Sequence, residues 1–243
     1  MSQKWIIAFL AVTVLIACTA GMVLAAEGEA EMEVKKKSWF DLFKSTGPVG
    51  IMLVLLSLVG TALLIQYMVN LSESKLGNPE MLAEVEALLG EGNVDEAFSL
   101  ANTDGTYAGK VLAGALVRNY GGYEEVKRGL DESAGVETFR VNAKMSYLSL
   151  VGNIGPLLGL LGTVTGMISS FQVIETLKAP TPGDLAVGVY ESLVNTTMGL
   201  FISITFLTAY FFLKNKVSDL CLRINTEIGE ILARTMAPEA QGK

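Results

Sequence analysis

The chain contains no histidine, which removes the commonest metal ligand and the usual general base near neutral pH. A histidine-based active site is excluded. Only two cysteines are present, Cys18 in an N-terminal apolar segment and Cys221 just beyond the last apolar run, with no CxxC spacing. They suggest neither a disulfide framework nor a metal site. No basic stripe with interleaved aromatics exists and the net charge is −7, so nucleic acid is a poor candidate partner. No nucleophile constellation or phosphate-cradling loop stands out, and neither catalytic residues, a metal nor a cofactor is expected. What the chain has in excess is apolar surface. Hydrophobic residues make up 51% of it and the mean hydropathy is +0.45, too apolar for an ordinary soluble domain.

That excess is concentrated. Charge is absent over about 28 residues between Lys44 and Glu73, about 30 from Met145 to Ile174 and about 22 from Ser192 to Leu213. Each run exceeds the roughly 20 residues needed to cross the hydrocarbon. The expected fold class is therefore an all-α polytopic membrane protein with three mature transmembrane helices, a helical cytoplasmic domain and a long third helix extending into the cytoplasm. Before the first run, Lys4 precedes an apolar stretch from Trp5 to about Ala17, and small residues through Ala26 lead into the acidic stretch Glu27 to Glu33. This is signal-peptide order, with cleavage after Ala25 or Ala26. An uncleaved fourth span is the alternative, and Leu15 to Cys18 also fit a lipobox.

The expected organisation is a signal peptide over 1–26, a periplasmic segment over 27–45, a first span over 46–70, a cytoplasmic helical domain over 71–144, a second span over 145–174, a periplasmic loop over 175–187, a third span over 188–213 and a cytoplasmic helix and tail over 214–243. Arg140 and Lys144 before the second span, and Lys214, Lys216 and Arg223 after the third, agree with this orientation. Lys35, Lys36 and Lys37 conflict with it. In the polar segment the spacing predicts helices over 79–89, 94–101 and 107–119, with another from Glu124 toward the second span. Beyond the third span, Val217, Leu220, Cys221, Ile224, Ile228 and Leu232 keep helical spacing.

Within the membrane, Gly152, Pro156, Gly159, Thr163, Gly166 and Ser170 fall on one helix face, and Gly188, Ser192, Thr196, Gly199 and Ser203 on another. Gly155/Gly159 and Gly162/Gly166 are small-xxx-small pairs that let backbones approach, and packing explains most of these glycines. The hydroxyls are explained less well. At about 1.5 Å per residue, Thr163 stands roughly 28 Å above Lys144 and Thr196 roughly 27 Å above Lys214, which predicts a common depth. Glu191 follows a helix start at Thr181, Pro182 and Asp184 by about nine residues, or roughly 13 Å. A carboxylate at mid-bilayer costs on the order of 2.5 to 3.5 kcal/mol, so it should face water or protein, on an ion path or at an interface.

The segment Pro156 to Met167 (PLLGLLGTVTGM), followed by Phe171, resembles the second-helix signature of the MotA/TolQ/ExbB proton-channel family, in particular its ExbB and TolQ branch. Glu191 to Leu200 (ESLVNTTMGL) is similar to its third-helix signature. The resemblance extends from Gly47 to about Met236. It implies a homo-oligomer, five copies in a ring, around the membrane helices of two copies of a single-span ExbD-like or TolR-like partner whose membrane aspartate carries the proton. A TonB-like or TolA-like periplasmic transducer and membrane lipid complete the expected partners. Thr163 and Thr196 match the family's pore threonines and Glu191 its third-helix glutamate. Asn195 and Thr197 depart from the small apolar residues usual there. The expected proton pathway is thus Thr163, Thr196, Glu191, Asn195, Thr197, Ser192 and Ser203, and the expected packing residues are Gly155, Pro156, Gly159, Gly162, Gly166 and Gly199. The implied function is a proton-channel and stator subunit of an inner-membrane energising complex, without covalent catalysis. A structural membrane scaffold without ion flux is the alternative from a different class.

Overall fold

The structure, a computed structural model, describes residues 47–177 and 181–237. The expected signal segment, Cys18, the periplasmic segment over 27–45 and Lys178 lie outside the described residues. Those residues form helices without strands. α1 (Gly47–Asn70) carries no charged residue. Four short helices follow: α2 (Glu73–Gly77), α3 (Pro79–Gly90), α4 (Val94–Asp104) and α5 (Tyr107–Leu116). Two long helices complete the fold, α6 (Tyr123–Thr176) and α7 (Pro182–Met236). α1, α6 and α7 are each long and apolar enough to cross a membrane, which makes this a multi-pass membrane protein.

Local chemistry sets the breaks between the short helices. Asn78 takes the left-handed conformation (φ 39°), ending α2, and its side-chain oxygen accepts from the Met81 N–H at the start of α3, where Pro79 occupies the first turn. Proline costs nothing there, because the N–H it lacks has no helical partner anyway. Gly105 (φ 68°) ends α4 beyond the expected Ala101, and the Thr106 hydroxyl caps α5 by accepting from the Gly109 N–H at 3.1 Å. Asp104 joins these breaks, accepting from both Asn78 and Thr106 through its carboxylate. α5 ends at Leu116, earlier than the expected Asn119, and a 3₁₀ turn over Asn119–Gly121 follows. Gly122 (φ 78°) then reverses the chain into α6, a conformation an L side chain rarely adopts.

The described residues divide into two compact units, one of residues 47–59 and 151–205, the other of 60–150 and 206–237. In the second, α2 to α5 pack with the polar portions of α6 and α7 around one apolar core. Val217, Leu220, Cys221, Ile224, Ile228 and Leu232, the stripe legible on α7, are all buried there. A polar tie crosses it: the Tyr107 hydroxyl donates to the Asn225 side-chain oxygen at 2.9 Å and lies 2.9 Å from the Thr138 hydroxyl, linking α5, α6 and α7. Burial pushes the Tyr107 phenol above its ordinary range.

Burial also pushes the Cys221 thiol up. The thiolate is the reactive form, and here it is both scarce and sterically shielded. In a Cys18→Ser background, labelling of Cys221 by a maleimide at neutral pH is expected to be at least tenfold slower in the folded protein than in denaturant. Equal rates would contradict the buried stripe.

Candidate functional site

In the unit holding residues 151–205, α6 and α7 approach through matched notches. Gly155, Gly159 and Gly162 are buried on α6, and Gly188, Ser192, Asn195, Gly199 and Ser203 on α7. A Cβ placed on Gly155 would lie 2.8 Å from the Gly199 carbonyl oxygen, and one on Gly199 would lie 2.5 Å from the Gly155 carbonyl oxygen. Farther along, a Cβ on Gly159 would stand 3.1 Å from the Thr196 Cα, and one on Gly166 would stand 2.8 Å from the Gly188 carbonyl oxygen. Backbone meets backbone at each point, the arrangement small residues permit between membrane helices. Gly162 faces a side chain instead: Asn195 fills its notch, with Cγ 2.8 Å and Nδ2 2.9 Å from a built Cβ. Pro156 sits half-buried beside this line, and α6 passes through it without interruption.

The hydroxyls divide by where they donate. Thr163 donates to the Leu160 carbonyl at 2.7 Å, Ser192 to Val189 at 2.7 Å and Thr197 to Leu193 at 2.9 Å, each within its own helix. Such bonds satisfy a hydroxyl without linking helices. Thr196 differs, donating across the seam to the Gly159 carbonyl at 3.2 Å as well as to Ser192 at 3.3 Å. Ser170 also crosses, to the Leu185 carbonyl at 3.4 Å, besides Gly166 at 3.2 Å. Ser170 stood on the sequence stripe without being singled out; its step of four from Gly166 was the available signal.

The expected common depth of Thr163 and Thr196 is not what the register produces. Thr196 lies opposite Gly159, so Thr163 is one turn, about 6 Å, farther along α6. Counting from the basic flanks assumed that both flanks mark one plane, whereas the glycine notches dictate the register. The other pathway candidates also separate. Ser192, Asn195 and Ser203 are 3%, 4% and 7% exposed, enclosed between two helices of the same chain. Thr163, Thr196 and Glu191 are half-buried, and Thr197 is exposed on the opposite face with Leu193 and Leu200. No acid or base lies between Gly152 and Ser170 or between Ser192 and Ser203. Among the described residues, no group of three acidic or thiol side chains is placed to hold a metal ion.

The profile described as the MotA/TolQ/ExbB proton channel family matches residues 103–226, half of the chain. The chain belongs to that family. Among its MotA/TolQ/ExbB relatives, a biopolymer transport protein ExbB homolog of Methanothermobacter thermautotrophicus is 24% identical over 182 residues, covering 74% of this chain and 64% of the relative. The Tol-Pal system protein TolQ of Pseudomonas aeruginosa is 34% identical over 87 residues, 36% of this chain and 38% of TolQ. The matched stretches thus span less than two thirds of either relative's length. The solved structure of C. jejuni MotAB shares the fold, with a TM-score of 0.53 at 17% identity, covering 98% of this chain and 92% of that one. The matched residues include both seam motifs, so the α6–α7 contact lies within the part of the chain that defines the family.

Proposed function

We propose that this chain is the proton-channel and stator subunit of an ExbB/TolQ-like complex in a bacterial inner membrane, using the proton motive force to drive a periplasm-spanning partner for outer-membrane uptake or envelope maintenance. In this reading the mature N-terminus is periplasmic and the core of α2 to α5 cytoplasmic. The observation that carries it is the Thr196 hydroxyl, half-buried and bridging to the Gly159 carbonyl in a seam that has no titrating group of its own. A proton relay there needs a carboxylate from elsewhere. Five copies ringing two ExbD-like or TolR-like helices, each with a membrane aspartate, would supply it, and a TonB-like or TolA-like protein would take up the work. Glu191, half-buried where the uncharged run of α7 begins, would stand at one end of the path. The test is proton uptake into vesicles holding the chain and its single-span partner.

A second reading, a scaffold without ion flux, draws support from Ser192, Asn195 and Ser203, whose burial serves packing within one chain. Assembly with no uptake would favour it.

Assembly of several copies has its own support. Val136 and Phe139, on α6 before the uncharged run begins at Met145, are 51% and 72% exposed. They stand about 9 to 13 Å outside that run, where lipid tails do not cover them. In the proposed ring a second copy does. Phe139→Glu is expected to shift the particle in mild detergent to fewer copies, read by light scattering on size-exclusion chromatography, with helical content retained. An unchanged mass would remove this face from the contact.

A further inference from the structure

Asn195 is polar, yet its place in the seam keeps it off any conducting route. On α6, Gly155, Gly159 and Gly166 each come up against backbone of α7, whereas Gly162 receives the Asn195 side chain, its Cγ and Nδ2 2.8 and 2.9 Å from a built Cβ. Asn195 is 4% exposed, and an amide sealed between two helices of one chain exchanges nothing with a water-filled path. Its neighbour in sequence is Thr196, which stays half-buried and donates across the seam to Gly159. Gly159 and Gly162 are three residues apart, about 4.5 Å along α6. The seated side chain and the crossing hydroxyl therefore act on α6 within one turn of each other.

Glycine faces let backbones touch but are smooth, so they set how closely two helices approach and resist sliding or rolling weakly. A side chain seated in a hole of the facing helix resists both, and a single enclosed asparagine is a known way of fixing register between helices. The Thr196 hydroxyl needs that restraint. It is shared between the Gly159 carbonyl at 3.2 Å and the Ser192 carbonyl at 3.3 Å, both longer than an ordinary hydroxyl bond, so a slide of α6 on the order of 0.5 Å decides which carbonyl holds it. We propose that Asn195 is a positioning residue: seated at Gly162, its side chain locks α6 against α7 and holds the Thr196 hydroxyl balanced between the two carbonyls, free to pass a proton on. The bulk of Asn195 does this, not its amide. The inference rests on the conduction reading above.

Proton uptake into vesicles holding the chain and the proposed single-span partner tests this, with melting and size-exclusion profiles of the same preparations. Asn195→Ala, which empties the notch, is expected to lower uptake at least about fivefold, since misplacing a reacting group by about 1 Å can cost up to about a hundredfold. The oligomer should persist and the melting temperature stay within about 4 °C of the wild type. Asn195→Cys keeps a bulky atom at the notch without the amide and should hold uptake within about twofold of the wild type. In a Thr196→Val background, Asn195→Ala should lower uptake further by less than about twofold, because it acts through that hydroxyl. Wild-type uptake in Asn195→Ala would overturn the positioning role, and a Cys variant as impaired as the Ala variant would overturn it by placing the amide itself on the path. Should Asn195→Ala not assemble, Asn195→Ser carries the test: an intact oligomer with uptake reduced at least about threefold supports the role, and unchanged uptake refutes it. Loss of the oligomer in both truncations would reduce Asn195 to packing. No uptake by the wild-type complex would remove the conduction reading and this inference with it, an outcome distinct from wild-type conduction that the truncations leave unchanged.

Discussion

Gly199→Val is expected to dismantle the α6–α7 pair. The added Cβ would meet the Gly155 carbonyl oxygen at 2.5 Å, the Gly155 carbonyl carbon at 3.2 Å and the Gly159 Cα at 3.1 Å. All three are backbone, so no side chain can swing aside and the helices must separate. Overpacking a tight core costs about 1 to 3 kcal/mol and sometimes more, and separation would also forfeit the Thr196 and Ser170 bonds across the seam. Against a typical total stability of about 5 to 15 kcal/mol, that is a large fraction. The variant should accumulate poorly, and what is purified should melt at least about 5 °C lower by circular dichroism. Gly135→Ala serves as the control, since nothing lies within 4 Å of its built Cβ; a helix gains about 0.5 to 1 kcal/mol from that exchange. If both variants melt with the wild type, the notch register is wrong.

Thr196→Val is expected to leave folding nearly intact and to lower proton uptake at least tenfold. Valine preserves the side-chain shape, and the Gly159 and Ser192 carbonyls that lose the hydroxyl keep the N–H donors of residues 163 and 196 in the helical pattern, so no acceptor is stranded. Loss of one membrane hydrogen bond averages about 0.6 kcal/mol, too little to dissociate an oligomer. The proposed proton relay is more sensitive, because a partner carboxylate would exchange its proton only through a continuous polar route. Thr196→Ser should restore uptake, and Thr163→Val, whose hydroxyl serves its own helix, should reduce it less. Uptake and size-exclusion profiles of the same preparations decide between outcomes. Loss of uptake together with loss of the oligomer would return Thr196 to packing alone.

Much of the architecture was readable before any coordinates. The buried stripe from Val217 to Leu232 declared itself through 3.6-residue spacing, and the three spans through the absence of charge. Turn chemistry located the breaks at Gly105 and Gly122, though α5 closed at Leu116, sooner than expected, with a 3₁₀ turn over Asn119–Gly121 before Gly122. Periodicity assigns a residue to a face but does not say what covers that face. That Ser192, Asn195 and Ser203 are covered by helices of the same chain was therefore not legible from spacing. Spacing likewise cannot give the register between two helices. That depends on which glycine receives which side chain, as when Asn195 occupies the notch at Gly162 and thereby separates Thr163 from the level of Thr196.

The most direct measurement is proton uptake into sealed vesicles under an imposed membrane potential, followed by an internal pH-sensitive dye. It compares the chain alone, the chain with the proposed single-span partner, and the chain with that partner's proposed membrane aspartate replaced by asparagine. Uptake is expected only with the intact partner, because the α6–α7 seam has no titrating group of its own between Ser192 and Ser203. Equal uptake by the chain alone would contradict the need for a partner carboxylate, and no uptake from an assembled complex would contradict conduction itself.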